Sequence, residues 1–167
     1  FHFAACRHAL ENDLFLDQLG IIHPPSRQQI RLSYDPQTLY SETANAAKKI
    51  TFSTDFSGKG DHTLTEAMTG MGFSEHAHNP VFELSGSATF EKVDLRRGAL
   101  FFARGRYQLS VKTQTDHTVV AISGVRREGH LSLTEAINRT AQSLYRDMHA
   151  ELTRELTRYI ERRASSD

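Results

Sequence analysis

Apolar and polar residues alternate or recur along this chain with two distinct periods, and the change from one to the other marks its elements. Residues 4–19, AACRHALENDLFLDQL, space Leu10, Leu14 and Leu19 as a helix does, and Gly20 follows as a stop. The next residues, IIHPPSR, carry Pro24 and Pro25, which enforce an extended connector. QIRLSYD (29–35) alternates as a strand. PQTLYSETANAAK then reads as a helix over 36–48, with Asp35 as N-cap and Pro36 in its first turn. KITFSTDF (49–56) alternates again, with Ile50, Phe52, Thr54 and Phe56 on one face. A helix over 62–71 follows, opened by a capping box from Thr63 to Glu66 and stopped at Gly72.

The second half has the clearer period. VFELSGSATFEKV (81–93), LFFARGRYQLSVKT (100–113) and TVVAISGV (118–125) each alternate, and turn residues separate them, so they predict a three-stranded antiparallel meander. In the middle strand Phe101, Ala103, Gly105, Tyr107, Leu109 and Val111 are expected to face inward, while Arg104, Arg106, Gln108 and Lys112 face outward. A second capping box, Ser132 to Glu135, opens a helix over 132–163. Its stripe is Ile137, Ala141, Leu144, Met148, Leu152, Leu156 and Tyr159. Such a helix is ~45 Å long, whereas a strand of ordinary length covers ~20 Å. Leu152, Leu156, Tyr159 and Ile160 are therefore expected either to pack on the N-terminal helix through Leu10, Leu14 and Leu19, or to form a partner surface.

These elements predict an α+β fold. It is a two-layer sandwich in which a mixed, mostly antiparallel sheet of about five strands carries helices on one face, with a long C-terminal helix. The expected organisation is an N-terminal helix and Pro-Pro linker over 1–25, then one domain over 26–167.

Composition narrows the picture. The 167 residues are 38% hydrophobic and 24% charged, as in globular chains. Twenty Lys and Arg balance twenty Asp and Glu, so no overall field draws the chain to nucleic acid or to acidic lipid. Cys6 is the single cysteine, which rules out an intrachain disulfide and zinc-finger spacing.

Candidate chemistry is sparse. FAAC, Phe3 to Cys6, has the small residues that a lipoprotein signal peptidase needs ahead of a cysteine destined for a lipid anchor. It also reads as the first turn of a helix with Cys6 as a small apolar residue. Both readings stand, and membrane attachment is expected only through such an anchor. Arg96, Arg97, Arg104 and Arg106 cluster on one hairpin as a candidate site for an acidic protein partner. Without interleaved exposed aromatics they do not suit single-stranded nucleic acid. His76 and His78 form an H-x-H in a loop that ends in Asn79-Pro80, with no third ligand at a defined spacing, so no metal or other cofactor is assigned. FSGKGDHT lacks the spacing of a phosphate loop and reads as a turn. No G-x-S-x-G elbow is present, and no catalytic residue is assigned.

The order of elements over 49–160 resembles the α/β domain of bacterial envelope lipoproteins and assembly factors. The carrying segments are KITFSTDF, LTEAMTGMGF, FELSGSATFEKV, RGALFFARGRYQLSVKT, TDHTVVAISGV and SLTEAINRTAQSL. The types it is similar to are the curli-secretion lipoprotein, the penicillin-binding-protein activator and the amino-terminal TolB domain. The resemblance implies location in the periplasm or at the outer membrane, no catalytic residues, and scaffolding work through protein contacts or self-association. The competing expectation is a small-ligand or metal-binding module, or a weak hydrolase, using the loops at 55–62 and 75–79.

Overall fold

The structure, a computed structural model, describes residues 36–58, 60–115 and 117–164, and of Arg96 and Arg97 it describes the backbone. The expected N-terminal helix, the Pro-Pro linker, the strand at 29–35, Cys6 and the boundary at 25/26 lie outside these residues. The chain divides into two compact units, one of residues 50–159 and one of residues 1–49 with 160–167. In the second unit, helix α1 spans Pro36–Lys48. Proline fits its first position because the amide it lacks would have no helical partner, and three alanines support its second half.

The first unit is a sheet with helices on one face. Its strands are β1 (Thr51–Ser57), β2 (Ser74–Glu75), β3 (Phe82–Arg97), β4 (Leu100–Thr113) and β5 (Thr118–His130). They lie in the order β2-β1-β3-β4-β5. β1 runs parallel to both its neighbours, whereas β3, β4 and β5 form the expected antiparallel meander. Helix α2 (Asp61–Gly70) connects β1 to β2, and helix α3 (Leu133–Ala164) follows β5. The sheet is therefore mixed, as expected, and its described fifth strand is the two-residue β2.

Alternation decides which face is buried. Cross-strand register aligns Phe52 with Phe82, Thr54 with Leu84 and Phe56 with Gly86, and continues through Leu84–Val111 and Gly86–Leu109 to Ile122 and Val120. Phe52, Leu84, Tyr107, Leu109 and Val111 are buried on this face. Gly60, at the start of α2, packs between Phe56 and Tyr145 of α3, so both helices lie on it. The opposite face carries Ser85, Ser87, Gln108, Ser110, Arg104, Arg106 and Arg127, and neither α2 nor α3 packs on it.

Small residues let α3 come close. A side chain at Gly105 would lie 2.8 Å from the Phe90 ring and 3.0 Å from the methyl of Thr140. The Thr140 hydroxyl is wholly buried; it lies 2.7 Å from the Ala136 carbonyl and 3.3 Å from that of Ala103, which joins helix to strand. Rings fill the space that glycines leave: Phe90 over Gly105, Tyr107 over Gly124 and Phe56 over Gly86.

Three sequence expectations are corrected here. The strands are longer than the ordinary length assumed for them: 16 residues in β3, 14 in β4 and 13 in β5. At ~3.3 Å per residue they reach about 43–53 Å and match the ~48 Å of α3. Leu152 and Leu156 are wholly buried. Tyr159 is half-buried, its ring edge-on to Phe82 with centroids 6.3 Å apart. The capping boxes also fail. α2 starts after Gly60 without a side-chain cap, and Glu66 instead faces His62 at 3.9 Å. At α3, Glu135 bonds Arg139, while His130 Nδ1 accepts the Ser132 amide at 3.2 Å. The expected stop at Gly72 does occur. With φ of 85° it lets the Phe73 amide reach the Met68 carbonyl and its own amide reach Thr69, closing the helix end.

Gly86 faces the strictest limit, because a methyl group there would meet the Gln108 carbonyl oxygen and lie 3.0 Å from Leu109 Cα, both backbone atoms. Gly86→Ala should lower unfolding free energy by about 1–3 kcal/mol in urea titration. A change under about 0.5 kcal/mol would mean that the β3–β4 pair is looser than this packing implies.

Candidate interaction surface

The outward positions of β3, β4 and β5 bring together part of the arginine cluster read from the sequence. Arg104 stands opposite Glu91 on one side and Arg127 on the other, and Arg106 stands opposite Val125. Glu91 Oε1 lies 3.5 Å from both the Arg104 and the Arg106 guanidinium. All three side chains are substantially exposed, so each ion pair contributes at most about 1 kcal/mol. One carboxylate thus faces three outward guanidiniums, and positive charge remains in excess. Val125, 58% exposed, supplies an apolar centre. Arg104, Arg106, Val125, Arg126 and Arg127 line a depression of about 500 Å³.

Arg96 and Arg97 do not join this group along the backbone. Arg97 pairs with Leu100 at the β3–β4 turn, four residues or ~13 Å along the strand from Arg104. Their side chains lie outside the described residues. Arg127 and Val125 were missed by the sequence reading, which treated the arginines of one hairpin alone. A second depression of about 500 Å³ continues the face toward Ser85, Ser87, Gln108, Ser110 and Ser123, where Ser85 and Ser110 hydroxyls bond at 2.9 Å.

The inward polar groups have another task. The Tyr107 hydroxyl donates to Glu151 Oε2 at 2.7 Å. Burial raises the Tyr107 pKa, and the Glu151 carboxylate, as acceptor and as neighbouring charge, raises it further. Arg126 pairs with Asp147, and that carboxylate holds the guanidinium proton more tightly still. Along α3, Glu151 meets Arg154 at 3.4 Å and Glu155 meets Arg158 at 2.9 Å. The Glu155 pKa is lowered, chiefly by its hydrogen bond from Arg154. These carboxylates hold α3 to the sheet or to itself.

His76 Nδ1 lies 2.8 Å from the His78 carbonyl. Among the described residues no three His, Cys, Asp or Glu side chains gather as a metal site. The glycine turn is explained by packing, since Gly58 has φ of 119° and Gly60 abuts Phe56 and Tyr145. No described helix is long and apolar enough to cross a membrane.

No family model matches the chain, and no curated protein matches it. Solved structures do. A minor lipoprotein from Acinetobacter baumannii is 16% identical over 69% of this chain and 92% of its own, with a TM-score of 0.43. A Xanthomonas campestris protein of the DUF330 family is 11% identical over 63% and 62%, with a TM-score of 0.49. A lipoprotein from Neisseria meningitidis is 6% identical over 59% and 96%, with a TM-score of 0.38. Bacterial lipoproteins are thus among the solved structures that this chain is similar to. At such scores the likeness transfers neither function nor site residues.

The Tyr107–Glu151 bond makes a stability prediction with a definite sign. A raised tyrosine pKa means that the unfolded chain loses this proton first, near pH 10, while the folded chain keeps it. The contribution is complete below that pH and declines as pH rises above it. Tyr107→Phe should cost about 1 kcal/mol at neutral pH and flatten the fall of stability between about pH 10 and 12, read by denaturant titration across pH. An unchanged alkaline slope would assign the fall to other groups.

Proposed function

We propose that this chain is a non-enzymatic component of the bacterial cell envelope, in the periplasm or at the outer membrane. It scaffolds an assembly by binding an acidic protein partner. The observation that carries this reading is the outer face of the sheet, where Arg104, Arg106 and Arg127 surround the exposed Val125. Arginines around a desolvatable apolar centre have the make-up of a protein-binding hot spot. Their ion pairs with Glu91 are exposed and weak, so a partner's carboxylates can replace them with little loss. The FAAC tetrapeptide and the element order of 49–160 support envelope location, with Cys6 as the lipid-bearing residue.

Photo-crosslinking from position 125 in cells tests the partner. Arg104→Glu with Arg106→Glu should remove the crosslinked product and shift stability by less than about 1 kcal/mol, because both side chains are exposed. A product that survives the double reversal of charge would refute this surface. Mass spectrometry of the mature chain tests the anchor separately: a lipid-sized mass on Cys6, absent in Cys6→Ser, is expected.

A further inference from the structure

Three of the five large apolar side chains exposed among the described residues gather at one end of the sheet: Leu100, Phe101 and Leu131, at 39%, 43% and 66% exposure. Register explains the grouping. Phe101 pairs with His130, so Leu131 emerges beside it, and Arg97 pairs with Leu100 across the turn that Gly98 makes with φ of 63°. Residues 92–101, KVDLRRGALF, set three cations, Lys92, Arg96 and Arg97, against the single carboxylate of Asp94. The Lys92 ammonium lies over the Phe101 ring, 6.0 Å from its centroid.

We propose that this β3–β4 tip inserts into the headgroup region of an anionic lipid bilayer. Leu100 and Phe101 would leave water there while Lys92 meets lipid phosphates, in a segment to which the sequence adds the cations of positions 96 and 97. A long cationic side chain lying along an apolar one suits that boundary, where the stem is buried and the charge stays hydrated. The cluster is too small for a specific protein interface, which buries at least roughly 1,000 Å² in total. A bilayer, by contrast, accepts single side chains, each contributing on its own. The proposal does not require the anchor at Cys6.

The chain contains no tryptophan, so Leu100→Trp creates a unique reporter. In an unlipidated Cys6→Ser background, vesicles containing phosphatidylglycerol should shift its emission to the blue, and lipid-borne bromine should quench it. Pure phosphatidylcholine vesicles should do neither. Leu100→Ser with Phe101→Ser should weaken co-sedimentation with the anionic vesicles about tenfold or more. Arg96→Ala and Arg97→Ala should each weaken it about fivefold. Should the serine pair fail to fold by circular dichroism, Leu131→Ser, at the most exposed of the three positions, replaces it. A reporter that stays in water with phosphatidylglycerol, equal binding to both vesicle types, or binding indifferent to the serine variants would each overturn the proposal.

Discussion

Everything in the larger unit depends on how near α3 can lie to the middle of the sheet. Dispersion attraction and water exclusion both need atoms in contact, and a gap of even 1 Å forfeits much of the gain. Gly105 provides the approach, because any side chain there would strike Phe90 and Thr140. Thr140 then spends its hydroxyl on backbone carbonyls of helix and strand, so the one fully buried polar side chain among the described residues is satisfied at the point of closest packing. Around this point the rings of Phe90, Tyr107 and Phe56 refill what the glycines vacate.

The same seam explains why α2 and α3 pack on one face of the sheet. Leu144, Met148, Leu152 and Leu156 of α3 are wholly buried, as are Leu84, Val111 and Phe52 on the strands. The outer face has no such side chains to offer a second layer of helices. It presents hydroxyls and guanidiniums that water solvates well, and burying them without partners would cost more than it returned. Only a surface that brings its own carboxylates or donors can cover it.

Much of this was legible in the sequence because period-two alternation is a local signal. The inward set Ala103, Gly105, Tyr107, Leu109 and Val111 follows from it directly, and so do the outward arginines at 104 and 106. What was not legible depended on distant partners. The strands run past their apolar segments because each finds a neighbour to bond, as Arg97 finds Leu100 and His130 finds Phe101, and no single segment records its neighbour's length. Arg127 joins Arg104 only through the β4–β5 register. His130 displaced Glu135 as the partner of the α3 entry because the end of β5 delivers an imidazole to that spot. Capping motifs specify what a helix end can use, and tertiary placement specifies what it gets.

Among the described residues, the edge of this sheet raises a problem that the alternation also solves. β5 has β4 on one side and no described strand on the other, and from Thr118 to Val125 it carries no charge. Such a margin invites a further strand. Arg126 interrupts it. Register sets this arginine opposite Gly105 on the helix-bearing face, and Asp147 of α3 holds its guanidinium there. A strand added beyond β5 would have to desolvate that ion pair or run beneath the helix it supports. An inward-facing charge on an edge strand is a recognised deterrent to edge pairing, and here the helix carboxylate keeps it in place. The interaction that anchors α3 to the margin of the sheet thus also limits what else can join that margin.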